Sequence, residues 1–352
     1  MIFIDGKPFV QSSASSNPSQ CDDDAFLSSL LQHPYLIDAC ERFKFMPEWN
    51  ISEKSMLDGV KHVYVFQREY ATVIPALVQF VGTDEATTCV CMAIRNRDNG
   101  MTSVAHLDSP KIINSGLLQM LSLLIDQDTH PTLDVHLVGA FDDTSCQKYV
   151  SDGDDDVVGG SNRAKKSSMG YSVPLCSKII QVLSDSSEKF HIGTLCVLGH
   201  NTQFNSAGET VPIFTGLVVE TESGSVMPAQ FSKGSRCPDD IVRAIRITMS
   251  FDDITCRGRL LETYDTKQDR FEITACSWNP EHQLWAFSML QLSDSELLEQ
   301  CSTSPSAESP DFVENQRRKF RYLINYPHWT DTFNKGKPRV FKRNVDGGWS
   351  VV

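Results

Sequence analysis

Among the side chains able to do chemistry, Cys89 and His106 stand out because the chain between them reads as one β-hairpin. A thiol becomes a useful nucleophile when a base removes its proton or stabilises the thiolate, and a neighbouring imidazole does both. The same imidazole can then protonate a leaving group. Thr87 to Ile94 is β-branched and apolar, as a buried strand requires. Arg95 to Gly100 is a charged run closing on Asp98-Asn99-Gly100, a strong turn signal. Met101 to Leu107 then alternates loosely back. With 95–100 as the loop, Ile94 pairs with Met101 and Cys89 falls directly opposite His106. Directly opposed residues on an antiparallel pair have Cβ atoms roughly 4.5–5.5 Å apart, within reach of a thiol–imidazole hydrogen bond. Slipping the turn by one residue on each side keeps both side chains on one face, whereas an odd-length loop separates them.

Spacing alone does not single out this pair. A cysteine in an apolar strand is most often a small buried hydrophobe, and Cys91 is a rival on the same face. His136 lies in an apolar strand and reads as a satisfied core histidine, His62 as a strand-edge residue. His130, His200 and His282 fall in loops and read as solvated. Trp278, Trp285 and Trp329 read as core or rim packing, with one of them a candidate wall for a ligand.

The elements around the hairpin must come from a chain of 352 residues, enough to bury a large core as one domain or two closely packed ones. Its net charge of −13 argues against nucleic acid or an anionic membrane as partner. The basic run Arg317, Arg318, Lys319 and Arg321 reads as the solvated face of a helix. No apolar stretch reaches the roughly 18 residues that span a bilayer, and the start, MIFIDGKPF, reads as a short strand with an Asp5-Gly6 turn rather than a signal peptide. Eleven cysteines are scattered without metal-site spacing, and no P-loop, dinucleotide or H-E-x-x-H motif occurs. Reduced thiols in the cytosol or nucleus are therefore expected, with no metal or nucleotide.

Residues 11–24 read as a loose loop and 142–172, acidic then basic, as a flexible insertion. Helices are expected over Ala25–Phe45, from Asn114 or Ser115 to Ile125, and over Leu175–Leu183, Pro238–Met249, Ser293–Gln300 and Asp311–Tyr326. Strands are expected over Val60–Phe66, Val73–Val81, Leu133–Phe141, Ile192–Leu198, Phe214–Glu220 and Val226–Phe231. Later ones fall near Arg259–Tyr264 and Phe271–Ser277, with a closing hairpin of Arg339–Arg343 and Trp349–Val352. This irregular alternation favours an α+β sandwich over a doubly wound parallel sheet.

Several ordered motifs carry a family likeness: GTDEATTC ending at Cys89, the hairpin with His106, LDVHLVGAF, CSTSPSAESPDFVE and VFKRNVDGGW. Together, from about Tyr64 to Trp349, the chain resembles the eukaryotic protein N-terminal asparagine amidohydrolases. The N-terminal loop and the acidic–basic insertion depart from the pattern and point to a plant-type member. The resemblance implies one amidohydrolase domain built as an α-β-β sandwich, shared with cytotoxic necrotizing factor toxins and a chemotaxis-receptor deamidase family. That deamidase family has the same cysteine–histidine spacing and a threonine at the position of Thr83. Carried over, Cys89 is the nucleophile, His106 the base and Thr83 an orienter of the imidazole; Ser302, Ser304, Ser52, Ser55 and Ser277 stay open for that last role. The substrate implied is a peptide or protein beginning with asparagine, deamidated to aspartate through a cysteine thioester without metal or organic cofactor. By the same resemblance the product is later arginylated by an arginyltransferase and recognised by an N-recognin ubiquitin ligase. A free α-ammonium needs a carboxylate, for which Asp84 and Glu85 are the candidates. Thr87, Thr88 and Ser304 are candidates for contacts to the substrate.

Overall fold

In the computed structural model, which describes residues 1–10, 20–52, 59–126, 130–144 and 170–352, the hairpin lies inside a mixed eight-stranded sheet. Its strands are Val90–Asn96 and Thr102–Leu107. In spatial order the sheet runs Leu261–Glu262, Glu69–Val73, Thr102–Leu107, Val90–Asn96, Thr132–Phe141, Lys189–Leu198, Ile2–Ile4 and Lys7–Pro8. Ile2–Ile4 and Lys7–Pro8 are joined by a turn at Asp5-Gly6, both at positive φ, as expected.

The hairpin's register differs from the one expected. Cys91, not Cys89, lies directly opposite His106, and Ile94 faces Ser103. The turn is shorter because Gly100 N–H donates to the Asn96 carbonyl and Asn96 N–H to the Met101 carbonyl, extending the ladder past Ile94. The change moves the pair by two positions and so leaves the faces unaltered. Val90, Met92, Ile94, Ala105 and Leu107 pack on one side, whereas Cys91, Ala93 and Val104 pack on the other.

That alternation creates the layers. The first side is covered by the helices Gln20–Leu31, Ile113–Leu121 and Ser172–Asp185, whose Leu27, Leu30, Leu117, Met120, Leu175, Ile179 and Leu183 are buried with it. The second is covered by a five-stranded sheet ordered Trp49–Ile51, Val226–Phe231, Leu217–Glu220, Phe80–Thr83 and His62–Tyr64. Val63, Val81, Leu217, Val219 and Val226 from that sheet bury with Cys91, Ala93 and Val104. Each such side chain contributes roughly 1.5–3 kcal/mol when fully buried, so a slip by one residue would expose one core and strand polar groups in the other. The result is an α+β fold of helix, sheet and sheet.

Other expectations shift at their edges. The helix over 25–45 is two, Gln20–Leu31 and Pro34–Lys44, because Pro34 starts a new one and cannot continue the old. The expected loop therefore ends before Gln20, and 11–19 lie outside the described residues. Val73–Val81 is not a strand: Glu69–Val73 and Phe80–Thr83 flank a turn through Ile74–Leu77. Of the expected insertion, 145–169 lie outside the described residues, and its two ends meet. Asp143 accepts the Tyr171 and Ser172 N–H groups at 2.8 and 3.3 Å at the start of Ser172–Asp185. A further helix, Pro280–Leu290, was not expected.

Candidate active site

In the five-stranded sheet the strand Phe80–Thr83 ends with Thr83 against His106 of the hairpin, and the chain leaving it carries Asp84 to Cys89. Cys89 is tied to the strand Thr132–Phe141 at a bulge. Its carbonyl accepts Ala140 N–H at 2.7 Å, and Phe141 N–H reaches the Thr87 carbonyl at 3.1 Å. Gly139 makes this approach possible. It has φ +114°, and a Cβ there would lie 2.7 Å from the Cys89 carbonyl oxygen. Asn201 fixes the bulge from behind, donating to the carbonyls of Gly139 and Phe214 and accepting Phe214 N–H.

Cys89 is partly exposed, whereas Cys91 is fully buried with its thiol directed to the Thr215 carbonyl. Being directly opposite His106 does not help Cys91, since nothing can reach it. Cys89 is one pleat further along the same face, a diagonal neighbour of His106. Cys89 and His106 both line a cleft of about 560 Å³.

His106 is 3 % exposed, and its Nδ1 lies 2.9 Å from Oγ1 of Thr83, itself fully buried. Burial lowers the imidazole to about 4 and pushes the Cys89 thiol well above its ordinary value, with the charges of Asp108, Cys91 and Glu308 adding to the effect. The pair therefore rests as neutral thiol and neutral imidazole, a base ready to accept a proton rather than a preformed ion pair. Arg68, bridged to Asp108 at 3.2 Å, partly offsets the charge near the thiol.

Thr83 is the candidate orienter that contacts the imidazole. Ser304 is buried, donates its hydroxyl to Thr87 Oγ1 at 2.8 Å and its backbone N–H to Ser302 Oγ at 2.9 Å. Thr88 meets Thr303 hydroxyl to hydroxyl at 2.9 Å. Thr87, Thr88 and Ser304 thus clasp the nucleophile loop to the 302–304 turn. Ser302 reaches Glu308 at 2.5 Å. Ser277 is exposed, Ser52 is half-buried and outside the cleft lining, and Ser55 lies outside the described residues.

Asp84 is 2 % exposed and both of its oxygens are engaged, Oδ1 by Tyr64 hydroxyl at 2.7 Å and Oδ2 by Phe231 N–H at 2.7 Å and Arg236 at 3.1 Å. Glu85, at φ +62°, holds the other arm of Arg236 at 2.5 Å and accepts Ser309 Oγ at 3.2 Å. Arg236 was invisible in the sequence, where nothing in SKGSRCPDD marks it. Glu308 lies in the CSTSPSAESPDFVE stretch, where the sequence assigned it no role. The basic run also changes character. Arg318 binds Asp240 in the cleft wall at 2.7 Å, and half-buried Lys319 is lowered to about 8 by desolvation. Of the tryptophans, Trp285 lines the cleft with Phe251 and Met289, while Trp278 is buried. His136 is satisfied by Thr194 at 3.0 Å, as expected of a core histidine. His200, half-buried, contacts the Leu195 carbonyl at 3.1 Å, and His282 closes the capping box of Pro280–Leu290, so neither is simply solvated.

The protein N-terminal asparagine amidohydrolase family model matches residues 52–351. A curated protein N-terminal asparagine amidohydrolase of Arabidopsis thaliana is 48 % identical over 99 % of both chains. Those of Sus scrofa and Homo sapiens are 30 % and 28 % identical, each over 82 % of this chain and covering 83 % and 84 % of the relative. With these similarities across nearly its whole length, the chain belongs to the protein N-terminal asparagine amidohydrolase family.

Proposed function

We propose that this protein hydrolyses the side-chain amide of an N-terminal asparagine, giving an N-terminal aspartate and ammonia, with Cys89 as nucleophile. The observation that carries this is that Cys89 and His106 line one cleft, with Thr83 on Nδ1 of the imidazole. The helix, sheet and sheet layers support reading the fold as an α-β-β sandwich of the cysteine-hydrolase type. The names of the relatives supply the substrate class.

Thr83 Oγ1 accepts the Nδ1–H, leaving Nε2 with its lone pair toward Cys89. Nε2 takes the thiol proton as sulfur bonds to the amide carbon, and the carbonyl π electrons move to oxygen. The imidazolium then donates that proton to the departing nitrogen, ammonia leaves, and a thioester remains. Water attacks the thioester with its proton going to Nε2, the C–S bond breaks, and the imidazolium returns a proton to the sulfur. Asp84, buried and joined to Glu85 by Arg236, holds the loop that carries Cys89. Phe251, Trp285 and Met289 give the substrate beyond its first residue an apolar wall. Arginylation of the product and its capture by an N-recognin ubiquitin ligase would be the next steps, in the cytosol or nucleus.

The test is ammonia release, with a +1 Da product, from matched peptides beginning Asn, Gln and acetyl-Asn. Turnover of the Asn peptide alone, lost in Cys89→Ala, supports the proposal. Turnover of acetyl-Asn or internal residues instead points to a deamidase of internal amides.

A further inference from the structure

The cleft contains two acidic groups in opposite states of engagement. Asp84 and Glu85 share Arg236, with Asp311 at 3.7 Å from the same guanidinium. Glu308 stands across the nucleophile loop, in the turn after Ser302–Ser304, and lines the cleft together with Thr87, Thr88 and Cys89. It accepts the Ser302 hydroxyl, and among the described residues no Lys, Arg or His lies within ion-pair distance of it. A half-buried carboxylate without a cation is costly unless something else supplies the charge. A second unpaired acceptor lies in the same wall: Oε1 of Gln316 is buried without a hydrogen-bond partner among the described residues.

We infer that Glu308 is the residue that binds the substrate's α-ammonium, and so restricts the reaction to a first residue with a free amine. This rests on the proposed N-terminal asparagine chemistry and names the group that enforces it. The dimensions fit. In asparagine the amine nitrogen and the amide carbon are three bonds apart, roughly 3–4 Å through space, and an ammonium–carboxylate hydrogen bond adds about 2.7–2.9 Å. The clamp must therefore lie close to the thiol without touching it, and Glu308 lines the same cleft as Cys89, just after the turn whose Thr303 and Ser304 grip Thr88 and Thr87; its charge also opposes ionisation of Cys89. Burial alone raises Glu308 to about 7, as expected of a carboxylate prepared for a cation it does not yet have. When the ammonium arrives it cancels the charge that disfavours the thiolate, so the correct substrate also helps to activate the nucleophile. A blocked or missing amine leaves that opposition in place.

The test compares an Asn-starting peptide with its des-amino analogue, in which a succinamoyl group replaces asparagine, on wild type, Glu308→Gln and Ser302→Ala. The expected result is a fall of at least tenfold in kcat/KM of Glu308→Gln on the Asn peptide, with turnover of the analogue unchanged or faster. The ratio between the two substrates therefore collapses. Ser302→Ala, which keeps the charge and frees its position, should fall between. Equal losses on both substrates, or an unchanged ratio, would overturn the assignment. Binding to Cys89→Ala and to Cys89→Ala/Glu308→Gln, measured by calorimetry with the same two peptides, separates this inference from the function beneath it. If no peptide releases ammonia, the function fails, and the calorimetry still decides the clamp. Preference for the free amine that disappears with Glu308 supports it, and equal binding of both peptides to Cys89→Ala refutes it.

Discussion

Cys89 and Cys91 are two residues apart on one face of one strand, yet they occupy different kinds of place. Cys91 is inside the ladder, directly opposite His106, sealed between two sheets. Cys89 is just outside it, where the chain leaves the sheet at the Gly139–Ala140 bulge, and the cleft reaches it there. The comparison shows that cross-strand opposition supplies proximity but not reactivity. A nucleophile needs the last position before the ladder closes, where a base on the neighbouring strand is still within diagonal reach and solvent can be admitted.

Exchanging the two thiols for alanine tests this most severely. Cys89→Ala should reduce kcat for ammonia release by roughly 10⁴-fold or more, as loss of a covalent nucleophile does elsewhere. Cys91→Ala should keep kcat within about threefold and instead lower stability by about 1 kcal/mol through a small cavity between the sheets. A loss of turnover in Cys91→Ala with a normal Tm would reverse the assignment. Next in size is Thr83→Val, which removes the oxygen at 2.9 Å from Nδ1 while preserving shape. A reduction of kcat on the order of 10–100-fold is expected, with KM little changed. If Thr83 only packed, the Tm would drop and kcat would not.

A smaller effect should follow from Gly139→Ala. The residue has φ +114°, and the added Cβ would press on the Cys89 carbonyl oxygen from 2.7 Å. About 1–3 kcal/mol of strain is expected, read as a lower Tm, together with a fall in kcat as Cys89 shifts. The matching substitution at the other end of the strand, Val135→Ala, should cost stability without changing kcat per folded molecule, because its side chain is buried among the helices. Equal kcat in both variants would mean that the bulge does not position the nucleophile.

The parts of this arrangement legible in the sequence were those encoded locally. Alternation of apolar residues gave the two faces of the hairpin, and parity kept Cys89, Cys91 and His106 together despite a register two positions off. The exact register depended on Asn96 and Gly100 closing the turn, a choice of backbone hydrogen bonds that composition does not determine. The resemblance, rather than periodicity, distinguished Cys89 from its rival. The remote half of the cleft was illegible for a different reason. Arg236 meets Asp84 only because distant segments pack together, so no spacing announces it. The helix Pro280–Leu290, which brings Trp285 and Met289 to the cleft, did carry a local signal in Asn279-Pro280-Glu281, an N-cap followed by proline. Its weak amphipathic pattern obscured it.

The sealed interior also has a pH signature that the rim does not. Burial holds His106 at about 4 in the folded chain, against about 6.5 when unfolded. The unfolded state therefore binds more protons between these values, and the stability that neutral His106 contributes is complete above about pH 6.5. It is lost progressively as pH falls toward 4, amounting to about 3 kcal/mol over the whole window. Glu85 and Glu308, both raised to about 7 by burial, act with the opposite sign, favouring the folded state as pH falls. A comparison of variants isolates the histidine. His106→Asn, which cannot titrate, should lose less Tm than wild type between pH 7 and pH 5, while urea unfolding at pH 7 reports whatever packing the substitution costs. Parallel Tm curves for the two proteins would mean that His106 titrates alike folded and unfolded, so that burial does not hold it neutral, and a wild type that gains on the variant as pH falls would mean a charged His106 in an ion pair with Cys89.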